Sequence, residues 1–140
     1  MFQPWIQNVS LDDIQKGCHH DAGDNSMLIQ VVDPDMDFPV PKMQFKKIIQ
    51  VKFLDVENDS QSGLVFLDAI DQAQAKILVD ALRFALANHM NVVVHCVAGI
   101  CRSGAIVDVG VQMGFMDTGV FRLPNVMVKK MMMDLVADNA

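Results

Sequence analysis

"NVVVHCVAGICRSGAI", residues 91–106, carries three valines into a histidine and a cysteine, then a loop of small residues closed by Arg102 and Ser103. An apolar, β-branched run of this kind reads as a buried strand. Gly or Asn suffices to end such a strand, yet this one ends on a thiol with an arginine six positions further on. Strand, tight loop and helix start follow in the order that brings the carboxyl end of a sheet strand to a helix N-terminus, where ligands bind in open α/β sheets. If residues 97–102 curl around a centre, the N–H groups of Val97, Ala98, Gly99, Ile100 and Cys101 face inward with the positive end of the helix, a seat for a tetrahedral oxyanion. Gly99 permits the backbone angle that the curl demands. Arg102 closes the ring with a planar fork suited to two phosphate oxygens. The same field favours the thiolate of Cys96 and makes it a nucleophile. His95 is placed to orient the local backbone, and the Ser103 hydroxyl to donate to the sulfur when it becomes a leaving group.

The rest of the chain supplies a sheet for this strand. "PWIQNV" reads as a short edge strand, and "SLDDIQKG" as a short helix with Ser10 as N-cap and Gly17 as its stop. "MLIQVV" is a strand that ends at the proline-rich "DPDMDFPVP". "FKKIIQVKFLDV" is β-branched enough for a core strand, and it empties into the polar "ENDSQSG". From Asp68 to Met90, Ile70, Ala73, Ile77, Ala81, Leu82 and Ala85 recur at helical spacing. A helix from Ser103 to about Phe115, broken by "DTG", and a last amphipathic helix after Pro124 complete the series. Alternating strands and helices imply an α/β fold: a single domain over residues 1–140, with a largely parallel, mixed sheet of about four to five strands and helices on both faces.

Composition narrows the function. The chain has 140 residues, 51% hydrophobic and 20% charged, enough for one core and too few for two. A net charge of −6, with arginine only at 83, 102 and 122, disfavours nucleic-acid partners. With no apolar run near the roughly 18 residues of a membrane span, and no secretory signal in "MFQPWIQNVS", a soluble cytoplasmic protein is expected. Cys18, Cys96 and Cys101 are expected as free thiols. The eleven methionines fill the core and coat the last helix, and Trp5 plugs the core beside the first strand. His19 and His20, beside Cys18, lack a second ligand cluster at a metal-site spacing and read as a polar loop, so no metal or cofactor is expected. Lys42, Lys46, Lys47 and Lys52 read as a solvated face, and Asp108 as either buried and paired or at a helix edge.

The spacing His95-Cys96-x5-Arg102-Ser103 resembles the signature of the cysteine-dependent protein tyrosine phosphatases. "VKFLDVENDSQ" is similar to the strand and acid loop of the small dual-specificity members, and "LPNVMVKKM" to the Pro-Asn helix that closes many of them. Length and element order are also similar to short phage and bacterial proteins of this kind. The resemblance implies a dual-specificity-phosphatase-like fold and hydrolysis of phosphotyrosine in a phosphorylated protein, with phosphoserine and phosphothreonine as further substrates. It also implies a phosphocysteine on Cys96, phosphate held by Arg102 and the loop, and an aspartic acid as general acid and base. Asp59, 37 positions before Cys96, is the first choice; Asp55 is the rival and Glu57 a weaker candidate.

Two departures from the family pattern stand out. Cys101 lies inside the loop, where it reads as filler or as a thiol able to trap Cys96 under oxidation. The segment between the signature helix and Pro124 is also short. Arsenate reduction or sulfur transfer, and a non-catalytic phosphoprotein-binding module, are the alternative readings. Sequence leaves oligomeric state open.

Overall fold

The computed structural model describes residues 3–57 and 68–138. In chain order the elements are β1 (Trp5–Val9), α1 (Leu11–Lys16), β2 (Ser26–Val32), β3 (Lys47–Lys52), α2 (Gln72–Ala87), β4 (Asn91–His95), α3 (Arg102–Met113), β5 (Met116–Asp117) and α4 (Val126–Asp138). The five strands form one sheet in the order β3-β2-β4-β1-β5, and every pairing is parallel. The expected α/β fold is observed, with a wholly parallel sheet in place of a mixed one.

Two strands exchange the positions expected of them. The sequence reads as placing β1 at an edge, but β5 pairs beyond it through Trp5 and Ile6, and four of the five β1 residues are buried. β3 reads as a core strand, yet it forms the outer edge and only Val51 of its six residues is buried. β-Branched content reports suitability for a pleated surface and not position in the strand order.

Side chains alternate between the two faces of each strand. Ile6, Met27, Ile29, Val31, Val92, Val94 and Cys96 pack with buried residues of α2, α3 and α4 in the larger core. Val9, Leu28 and Val93 point the other way, onto Ile14 of α1, Ala22 and the partly buried Trp5 and Phe45. Helices thus cover both faces, and Cys96 opens toward the three-helix side. Met27, Met90 and Met132 are fully buried, while Met127, Met131 and Met133 pack against the core from α4.

Local chemistry sets the helix ends. Ser10 and Asp13 form a reciprocal capping box on α1, which stops at Gly17 in the left-handed region, φ 73°. α2 begins at Gln72 and not at Asp68 because Asp71 caps it in a second box with Gln74. The Asn125 side-chain oxygen accepts from the Val128 N–H, capping α4. By contrast, Cys101 at the start of α3 gives no side-chain cap, which leaves the first amides of that helix open.

The short segment from β5 to α4 is tied to α3 by charge. Arg122 donates to Asp108 at 2.5 Å and to Asp117 at 3.0 and 2.9 Å, and Lys129 reaches Asp108 at 3.1 Å. Gly104 lets this segment approach, since a Cβ there would lie 2.9 Å from the Arg122 Cβ. Asp108 is therefore paired, and residues 121–125 lie against the loop that follows β4. Among the described residues no helix is long and apolar enough to cross a membrane.

Candidate active site

Cys96 leaves the end of β4 with its sulfur inside the loop of residues 97–102. Its side chain is buried, the Ser103 hydroxyl lies 3.1 Å from Sγ, and the Gly99 N–H donates to Sγ at 3.2 Å. Gly99 has φ +77°, and a Cβ on it would sit 2.4 Å from the Ser10 nitrogen and from the Val9 carbonyl carbon. Only glycine fits, for both reasons.

Of the six carbonyls from Cys96 to Cys101, all but that of Ala98 are bound by other groups among the described residues. Cys96 O lies 3.0 Å from His95 Nδ1, Val97 O accepts from the Leu11 N–H at 3.1 Å, and Gly99 O accepts from Asn8 Nδ2 at 2.8 Å. Ile100 O accepts from the Leu123 N–H at 3.1 Å, and Cys101 O from the N–H groups of Asn125 and Ala105, each at 2.9 Å. With these oxygens held outward, the amides of Val97, Ala98, Ile100, Cys101 and Arg102 find no acceptor among the described residues. An unpaired set of N–H groups around a sulfur is suited chemically to an anion.

Arg102 is 5% exposed and donates from Nη1 to Asp33 Oδ1 and to the Phe53 carbonyl, both at 2.7 Å. His95 is fully buried on the α1 face of β4. Because its Nδ1 faces a carbonyl, that nitrogen carries the proton, which leaves Nε2 buried and unpartnered among the described residues. Burial, with a smaller contribution from the Arg102 charge, pushes the His95 pKa below its ordinary 6.5, against the opposing pull of its backbone hydrogen bond.

Of the acid candidates, Asp59 lies outside the described residues. Asp55 is exposed and accepts from Asn125 Nδ2 at 2.6 Å, while the same nitrogen reaches Val56 O at 3.0 Å. Glu57 is exposed on the same segment. Cys101 is half-buried and unpaired; burial first, then the nearby Asp55 carboxylate, pushes its thiol pKa up. That opposes a role in thiol exchange, where the thiolate is the reacting form.

Residues that sequence reasoning passed over hold the loop in shape. Asn8 of β1 and Asp33, just past β2, each contact it, and so does Asn125, which lies in the segment that resembles the Pro-Asn helix. The only legible signals were a polar residue inside an apolar strand and an aspartate directly after one. Elsewhere, His19 stacks on Phe45 and His20 meets Trp5 edge-on, with ring centroids 5.7 and 5.6 Å apart. Lys47 and Lys52 sit over Phe84 and Phe38.

No protein-family model and no curated protein sequence matches the chain. Among solved structures, OH1 from the Orf virus, described as a tyrosine phosphatase with distinct structural features and triple substrate specificity, aligns with a TM-score of 0.48 at 18% identity. The alignment covers 99% of this chain and 66% of that one, so this chain spans just under two thirds of that protein's length.

Two outcomes follow from the loop and its histidine. Gly99→Ala forces a Cβ into the β1 backbone at a left-handed φ; urea denaturation is expected to register a loss above about 1 kcal/mol. His95 favours the neutral form when folded, so its contribution to stability is complete above pH 6.5 and is lost as pH falls through its lower folded value. Denaturation midpoints measured from pH 7.5 downward should decline below 6.5, and His95→Asn should flatten that decline.

Proposed function

We propose that the chain is a cysteine-dependent phosphatase that hydrolyses phosphate monoesters on proteins, phosphotyrosine foremost, and that residues 1–140 act as a single catalytic domain. The observation that carries this reading is the orientation of the signature loop. Five of its carbonyls are tied outward, and five amides without acceptors among the described residues are left beside Cys96. A dianionic phosphoryl group matches that donor set in charge and shape.

In the proposed reaction Cys96 Sγ attacks phosphorus in line with the ester oxygen. The S–P bond forms as the P–O bond to the leaving group breaks, and the leaving oxygen takes a proton from an aspartic acid. Water then attacks the phosphocysteine and gives a proton to the same carboxylate, releasing inorganic phosphate and the thiolate. Ser103, 3.1 Å from Sγ, is positioned to donate to the departing sulfur. Arg102 neutralises charge on the transferring group, as a guanidinium does well at a bidentate site.

Asp59 is the proposed acid. Asp55 is engaged by Asn125 and lies beside Cys101, which suits a brace better than a group that must release and recapture a proton. Exposed apolar side chains at Val97, Phe121 and Leu123 belong to the loop or to the segment bonded to it, and they favour an aromatic ester over a small aliphatic one.

Hydrolysis of para-nitrophenyl phosphate tests the reading. Cys96→Ser is expected to lower kcat by a factor of about 10⁴ or more. Asp59→Asn should lower kcat by roughly 10²–10⁴ and abolish the fall in rate at high pH that an obligatory acid imposes, whereas Asp55→Asn should retain that fall. An inactive wild type that nonetheless binds phosphotyrosine peptides would indicate a binding module instead.

A further inference from the structure

Two strand ends meet at one nitrogen of Arg102. In the parallel β2–β3 pair Val32 lies opposite Lys52, and the Phe53 N–H extends the ladder to Val32 O at 3.1 Å. Residues 33 and 53 therefore leave the sheet side by side. Their acceptors, Asp33 Oδ1 and Phe53 O, each lie 2.7 Å from Nη1.

A guanidinium carries five N–H groups, of which Nη1 holds two. Both are used by these acceptors, while Nε and Nη2 have no partner among the described residues. Nε and Nη2 form the edge of the guanidinium that can donate two parallel bonds to an oxyanion. The Arg102 side chain is 6% exposed, and its ion-pair partner Asp33, 34% exposed, sits at the margin of the site. Two bonds to one nitrogen fix the rotation of the planar group, so they decide where the free edge points. The Phe53 acceptor is backbone and survives any substitution; Asp33 is the half of the clamp that sequence controls.

We propose that Asp33 is a positioning residue. With the Phe53 carbonyl it holds Nη1 so that the Nε/Nη2 edge of Arg102 faces the phosphoryl group bound over Cys96. The assignment rests on the phosphatase reading of the loop. Asp33 touches no reacting atom and acts through the arginine alone.

The test measures how well inorganic phosphate protects Cys96 from iodoacetamide, followed by mass spectrometry of the Cys96 peptide, together with KM for para-nitrophenyl phosphate and a melting curve. In Asp33→Ala the phosphate concentration for half-protection and KM should both rise roughly tenfold. Asp33→Asn keeps an acceptor oxygen and removes the charge, so a rise of about threefold is expected. A residue serving only the fold would lower the melting temperature and leave half-protection of the folded protein unchanged. Wild-type values for half-protection and KM in the folded variants, or in Asp33→Asn alone should the alanine variant not fold, overturn the assignment. Failure of phosphate to protect wild-type Cys96 overturns the loop reading, and the positioning role with it.

Discussion

The outward tethering of five carbonyls between Cys96 and Cys101 is the constraint on which the rest of the structure depends. A peptide loop left to itself would point carbonyls and amides in mixed directions, and the negative ends of its dipoles would repel an anion. Here the N–H groups of Leu11, Leu123 and Asn125, the Asn8 side chain and the His95 ring each claim an oxygen. The amides are turned by exclusion. Gly99 is required because the loop must also lie against the β1 backbone at a distance no Cβ allows.

The sheet serves this arrangement through its order. With β4 between β1 and β2, the loop after β4 is flanked by the ends of both neighbours. β1 contributes Asn8, and the helix that follows it contributes the Leu11 N–H. β2 contributes Asp33 through the residue just past its end, and β3 extends the same row by one carbonyl. From the opposite side, the Arg122–Asp108 pair holds the segment that delivers Leu123 and Asn125. Asn125 is fully buried, and its backbone N–H, side-chain nitrogen and side-chain oxygen all bond, joining the loop, the segment around Asp55 and the cap of α4.

Much of this was legible in sequence, for local reasons. The helix cap at Ser10, the apolar period of α2 and the run into Cys96 all depend on neighbours within a few residues, so period and residue type suffice to find them. The loop itself was legible because its chemistry is concentrated in eight consecutive positions, His95 to Arg102. Strand order was not. Whether β1 or β3 lies at the edge depends on which distant segment pairs beyond it, and two residues of β5 decided the matter for β1. Asp33 and Asn8 escaped for the same reason, since an isolated carboxylate or amide acquires meaning only from the oxygen or nitrogen it meets across the sheet. Asp55 could be named, but its partner could not, because that contact comes from Asn125, 70 positions away.

The separation in sequence of the residues that hold the loop carries a consequence for biogenesis. The tethers come from positions 8 and 11, before the loop, and from 123 and 125, after it. During synthesis on a ribosome, the cysteine and arginine emerge well before the segment that holds the Ile100 and Cys101 oxygens. A nascent chain halted short of that segment carries the Cys96 thiol without partners for those two oxygens, so the loop takes its final shape only after residue 125 has been made.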